Sequence, residues 1–380
     1  MHVIIISKAF VVGEYQRKLE ALAAQPGIEL TAVVPTSWRE ASHNQRLELA
    51  HTLGYRLVSA PLAFNGYYHV HFYPTLDRIL GQVRPEVCHI DEEPYNLATW
   101  LAAQAANRCG AKPLFFTWQN LLRRYPWPFS AMEKDVYRHC RAAIAGNSEA
   151  VRVLTSKGFH GRQALIPQFG VDPDVFQPQT VRPERTFTIG YAGRLVEQKG
   201  LPVLLRALTL LGGEWRLHIC GTGPLQAQLQ ASIDSLGMAG RVEFFQHIPS
   251  DDMPAFYQGL DALVLPSLTR PNWKEQFGRV LIEAMSCAVP VVGSDSGEIP
   301  HVIGEAGLIT PEGDARALAD AFARLRQDSQ LCADFGTAGR ARVLAHYTHN
   351  RIAADTAAVY HWLAAGAETV PEWDIADSVV

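Results

Sequence analysis

Short aliphatic and β-branched runs alternate along the chain with longer stretches in which apolar residues recur every three or four positions. A run such as His2-Val3-Ile4-Ile5-Ile6 is apolar on both faces, as a strand buried inside a parallel sheet must be. Such runs predict strands over 2–6, 29–34, 87–90, 113–117, 142–146 and 163–167. Helical periodicity between them predicts helices near 14–25, 95–109, 130–140 and 148–158. In the first helix Leu19 and Leu22 share a face opposite charged neighbours. Ser148 is the expected N-cap of the last, which stops at Gly158.

The pattern lapses from Pro167 to Pro183, a segment that also holds Gly170, Pro173 and Pro178 and predicts an interdomain linker. A second series of strands follows at 187–191, 215–220, 242–244, 263–265 and 289–293. Residues 313–365 read as helical throughout and 366–380 as a loose tail. Alternating βα units of this kind build α/β domains around parallel sheets. The expected organisation is a domain over 1–175, a second over 176–347, and a C-terminal helix within 348–380 that returns to the first.

With 380 residues, 48% hydrophobic and 19% charged, the chain has material for two cores. The net charge of −4 speaks against general nucleic-acid binding. Charge is nevertheless segregated: residues 108–162 hold ten basic groups and three acidic ones. The six cysteines are scattered without a C-x-x-C pair and are expected to be reduced core residues. The first strand opens at once, leaving no room for a signal peptide, and no apolar run reaches the ~18 residues that span a bilayer. The expected location is cytoplasmic, with a peripheral position at the inner membrane face left open.

Chemistry concentrates after the predicted strands of the second series. Glu275-Gln276-Phe277-Gly278-Arg279-Val280 leads into a helix that carries Glu283, and the first-turn amides of such a helix are free donors at a positive dipole end. Gly193-Arg194 and Lys199-Gly200 place two cations five residues apart after a strand, suited to a diphosphate. Gly221 and Gly223 form a third strand-to-helix turn. All three lie at the carboxyl ends of strands, where open α/β sheets bind ligands.

These segments, in this order, resemble the retaining glycosyltransferases of family 4. The resemblance also covers Ile166-Pro167…Gly170-Val171-Asp172, Leu265-Pro266-Ser267, Ala284-Met285 and Pro290-Val291-Val292…Gly297…Ile299-Pro300. It implies GT-B architecture, two Rossmann-like βαβ domains facing a central cleft. It implies that Arg194 and Lys199 grip a donor diphosphate, that Glu283 accepts hydrogen bonds from the ribose, and that Glu275 faces the transferred sugar with the Phe277–Val280 amides. The implied donor is a UDP- or GDP-type nucleotide sugar, and no cofactor or metal is expected.

Several positions depart from the family pattern. The first βα loop has only Gly13 where a glycine pair is usual, and Gln119 stands where a histidine is common. Arg279 replaces an aliphatic residue and either reaches a charged donor or points to solvent. On the acceptor side, Asp91 and Glu92 end a strand, and Arg123 and Arg124 sit among aromatic residues that could dock an anionic or lipid-linked acceptor. The alternatives to sugar transfer are a nucleotide-sugar epimerase or hydrolase and a noncatalytic nucleotide-sugar binder.

Overall fold

In the computed structural model, residues 1–40, 44–179, 185–246 and 248–366 are described. The strands in chain order are β1 His2–Ile6, β2 Glu29–Pro35, β3 Ser37–Arg39, β4 Asn44–Arg46, β5 Arg56–Ala60, β6 Val87–Ile90, β7 Lys112–Thr117, β8 Ala142–Ala145 and β9 Arg162–Leu165. They continue as β10 Thr188–Ala192, β11 Arg216–Cys220, β12 Val242–Phe245, β13 Ala262–Leu265, β14 Val291–Ser294 and β15 Gly307–Thr310.

Two compact units emerge. One comprises Met1–Phe169 together with the chain from His349, the other Gly170–Thr348. The division falls at Phe169/Gly170, inside the expected linker and six residues before its expected position. Pro183 and the predicted tail beyond Gly366 lie outside the described residues.

The first unit holds a seven-stranded parallel sheet ordered β5-β2-β1-β6-β7-β8-β9. One of its faces is covered by the helix Arg17–Ala23 and by His349–Ala365, whose Ile352, Tyr360 and Leu363 pack with Val3, Ile5 and Leu19. The second unit holds a six-stranded parallel sheet ordered β12-β11-β10-β13-β14-β15. Its core joins Ile189, Tyr191 and Val264 to the helix Leu201–Leu210 and to Phe322. Each unit is Rossmann-like. Among the described residues, no helix is long and apolar enough to cross a membrane.

The sequence pattern misses β5, β15, the β3-β4 hairpin and the helix Leu76–Val83. β5 and β15 are edge strands with partly exposed residues, so neither reads as a continuous apolar run. Three helices fill 313–365: Ala315–Gln327, Ser329–His346 and His349–Ala365. Asp314 and Asp328 cap the first two by accepting from Ala317 N and Leu331 N. Asn147, rather than Ser148, caps the helix Ser148–Ser156, its Oδ1 accepting from Ala150 N at 2.7 Å.

Candidate functional site

In the second unit β10 is flanked by β11 on one side and β13 on the other. The direction of winding reverses there, and the loops leaving the two central strands separate to open a crevice at the carboxyl edge. Arg194 and Lys199 leave from β10, and Ser267 and Glu275 from β13.

Lys199 ends the short turn Glu197–Lys199 and donates from Nζ to Glu275 Oε2 at 2.5 Å. Ser267 Oγ donates to the same oxygen at 2.7 Å, and the Lys199 ammonium lies 5.3 Å from the centre of the Trp273 ring. Glu275 is buried, so both donors meet a carboxylate largely shielded from water. Its loop is held from behind, where Glu298 N donates to Glu275 O at 3.1 Å. This approach requires Gly297, whose φ is +54° and where a Cβ would fall 2.0 Å from Glu275 O. The Arg194 side chain is exposed, while its carbonyl is fixed by the Tyr191 hydroxyl at 2.8 Å.

The helix Arg279–Ser286 starts from Gly278, left-handed at φ +84°. Phe277 is buried edge-on against Tyr347 and anchors the turn, and Val280 is half-buried in the first turn. Glu283, one turn along and buried, accepts from Tyr257 Oη at 2.6 Å. Burial, and then the Glu283 charge, raise the Tyr257 phenol well above its ordinary range and keep it a donor. Arg279 folds back onto Glu283, Nε to Oε1 at 2.8 Å, with its side chain partly exposed.

The glycine turns interlock with each other. A Cβ on Gly221 would lie 2.1 Å from Gly193 O, and one on Gly223 2.4 Å from Leu195 O. Backbone packing requires glycine at Gly221 and Gly223, which build the edge on which Arg194 stands.

In the first unit the winding reverses between β1 and β6. A cavity of about 320 Å³ opens there, with Lys8, Asp91, Glu92 and Glu93 following those strands and Trp38, Tyr68 and Trp118 as ring surfaces. Burial would raise Glu92, but Lys8 and His71 outweigh it and hold the carboxyl down to about 2. Lys8 Nζ is bonded to Glu92 Oε2, and His71 Nε2 lies 3.5 Å from Oε1. Glu93 is pushed by burial up to about 7 despite accepting from Thr117 Oγ1 at 2.6 Å and Trp118 N at 2.8 Å. Asp91 Oδ2 accepts from Gln168 Nε2 at 2.9 Å, and Gln168 Oε1 accepts from Trp118 Nε1 at 2.8 Å.

Several predicted residues of this unit are engaged by neighbouring groups. The Gly13 amide is taken by Glu48 Oε2 at 2.6 Å, and a Cβ there would meet Ala50 at 2.7 Å, so the glycine is used in packing against the 48–50 loop. Gln119 is a brace: its Nε2 donates to Leu121 O at 2.5 Å and its Oε1 accepts from Tyr125 Oη at 3.1 Å. Asp91 and Glu92 line this cavity, both buried and built into hydrogen-bond networks. Arg123 and Arg124 are exposed, as are Leu122 (64%) and Trp127 (82%).

Lys8, Trp38, Tyr68, Gln168, Tyr257 and Trp273 escape the sequence reading. Lys8 alone carried a usable signal, being the second residue after a central strand.

Two family models match the chain: "Glycosyl transferase 4-like domain" over residues 12–176 and "Glycosyl transferases group 1" over 173–342. The chain is 34% identical over 187 residues to the GDP-mannose-dependent alpha-(1-6)-phosphatidylinositol monomannoside mannosyltransferase of Mycolicibacterium smegmatis, covering 45% of this chain and 49% of that protein. The matched region thus spans about half the length of that relative. Among solved structures, sucrose-phosphate synthase from Thermosynechococcus elongatus superposes with a TM-score of 0.73 at 20% identity, covering 97% of this chain and all of that one. Anabaena HepE, solved in complex with UDP, gives a TM-score of 0.73 at 16% identity over 95% and 99% of the two chains. At these identities the structural likeness establishes the fold, two Rossmann-like domains of the GT-B kind.

Proposed function

Since the chain belongs to the family 4 glycosyltransferases, we propose that it moves a glycosyl group from a UDP- or GDP-type nucleotide sugar to an acceptor hydroxyl with retention of anomeric configuration and without a metal. The observation that carries this reading is the Lys199–Glu275–Ser267 cluster at the switch point of the second sheet, beside the amino end of the Arg279–Ser286 helix.

In this reading the diphosphate sits against the helix amides, Arg194 and Lys199. As the bond between the anomeric carbon and the diphosphate oxygen breaks, negative charge builds on the leaving group, and the two cations stabilise it there. The acceptor oxygen bonds to the anomeric carbon on the face being vacated, and its proton passes to the departing diphosphate. Glu275 and Ser267 hold the Lys199 ammonium in position, while Glu283 accepts from the ribose. Fixed cations and amides meet the diphosphate charge that a divalent ion meets in metal-dependent transferases. The UDP of HepE and the GDP-mannose of the mycobacterial relative support both donor types.

A peripheral contact with an anionic membrane belongs to the same proposal, supported by Trp127 and Leu122 exposed beside Arg123 and Arg124.

The test incubates the protein with UDP- and GDP-sugars, with and without an acceptor panel, in excess EDTA. Acceptor-dependent nucleotide release and a product of unchanged anomeric configuration are expected. An inverted product, an epimerised nucleotide sugar, or complete loss in EDTA restored by a divalent ion overturns the reading.

A further inference from the structure

The cavity of the first unit combines two kinds of surface. Trp38 and Tyr68 stand edge to face with ring centres 5.1 Å apart, and Trp118 supplies another aromatic wall. Between the rings lie carboxylates and the Gln168 amide. Ring faces accept the C–H side of a saturated ring, and carboxylates and amides accept its hydroxyl protons. At about 320 Å³ the space is at the small end of the roughly 300–1,000 Å³ typical of ligand sites.

Charge narrows the ligand further. Among the described lining residues Lys8 is the cation, and it is committed. Its ammonium bonds Glu92 Oε2 and lies 5.4 Å from the Trp38 ring centre and 5.7 Å from that of Tyr68. Asp91, its side chain fully buried, gives Oδ2 to Gln168, and its Oδ1 faces His89 Nε2 at 3.9 Å. A ligand therefore finds carboxylates and amides in the lining and no uncommitted cation. An entering phosphate or carboxylate would lose its hydration and meet the lining carboxylates with no uncommitted cation to pair with it.

We infer that this cavity is the acceptor subsite, that it takes an uncharged, hydroxyl-rich ring such as a neutral sugar, and that it rejects acceptors carrying a phosphate or carboxylate on that ring. The inference rests on the transfer reaction proposed above and replaces the anionic acceptor suggested by Arg123 and Arg124 with a neutral one.

The test titrates the full chain with methyl hexopyranosides, hexose 6-phosphates and hexuronates, following tryptophan fluorescence and ligand-detected NMR. Saturable binding of at least one neutral glycoside is expected, with its phosphorylated and carboxylated counterparts at least tenfold weaker. Tyr68 is half-exposed, so Tyr68→Ala is expected to fold; it should weaken the neutral glycoside at least fivefold, and Tyr68→Phe, which keeps the ring face against Trp38, should retain it. No binding by any neutral glycoside, tighter binding of the anionic sugars, or an unchanged affinity in a folded Tyr68→Ala overturns the inference. Glycoside binding without turnover of any nucleotide sugar supports this subsite and sinks the transfer reaction. Transfer that prefers anionic acceptors keeps the reaction and sinks the subsite.

Discussion

Tyr257 donates its hydroxyl proton to Glu283 Oε2 across 2.6 Å, while Arg279 closes on the other oxygen at 2.8 Å. The carboxylate is oriented before any ligand arrives, and each oxygen keeps a second lone pair for a ribose hydroxyl. Glu283→Ala is expected to weaken nucleoside diphosphate binding by about 1.5–3 kcal/mol, the range for a hydrogen bond to a charged group, and Tyr257→Phe, which only loosens the carboxylate, to weaken it less. Calorimetric titration measures both. An unchanged affinity in folded Glu283→Ala removes the residue from the ribose site.

Arg194 and Lys199 are expected to act on the leaving group. A cation that meets charge developing in the transition state changes kcat more than donor KM. Arg194→Ala and Lys199→Ala should each lower kcat by about 10²–10³. Steady-state kinetics decide: an intact kcat with a raised KM makes them binders only.

Gly297→Ala tests how tightly the Glu275 loop is held. The new Cβ would sit 2.0 Å from Glu275 O at a φ of +54°, so the backbone must shift. A cost of about 1–3 kcal/mol for the strained conformation is expected, and transfer should fall further as Lys199 loses its partner. A wild-type melting temperature in this variant contradicts the packing described above.

Glu93 sets a pH dependence of stability. Its carboxyl is raised from 4.5 to about 7 in the fold, so the folded state binds its proton where the unfolded state has released it. The stability it contributes is complete below about 4.5 and is lost as pH rises through 7. His89, lowered well below 6.5 by burial, works in the opposite sense, so the informative quantity is the difference from Glu93→Gln. From pH 5 to pH 8 the wild type should lose melting temperature relative to this variant. Parallel curves would show that Glu93 is ionised in the fold throughout.

The exposed segment around Arg123 and Arg124 gives a salt-dependent prediction. Association with anionic liposomes at low ionic strength should weaken as salt rises and in the Arg123→Ala/Arg124→Ala double variant. Absence of co-sedimentation at low salt removes the membrane contact and leaves the aromatic residues as packing.

The carboxyl-edge placement of Arg194, Lys199 and Glu275 is legible in sequence because strand, loop and helix order fixes which end of a parallel strand each loop leaves. Which loops meet is not legible in the same way. Trp38 belongs to a three-residue strand with no periodicity of its own, and it reaches Lys8 only once β1 and β2 pair. Tyr257 finds Glu283 through packing of the Met253–Gln258 and Arg279–Ser286 helices, a contact that neither helix announces. Gln119 and Arg279 read in sequence as ligand groups because their types can be; their contacts, hydrogen bonds of Gln119 with Leu121 and Tyr125 and an ion pair of Arg279 with Glu283, appear only in the fold.

The return of the His349–Ala365 helix to the first sheet bears on how the chain is made. Synthesis is vectorial, so residues 1–169 leave the ribosome with the flank destined for Ile352, Tyr360 and Leu363 still uncovered. It stays uncovered while Gly170–Thr348 is translated, roughly 10–40 s at about 5–20 residues per second. The continuous unit meets no such wait and is complete as soon as it emerges. A premature stop just before codon 349 would therefore strip one flank from the core of a unit whose strands all lie upstream of the intervening domain.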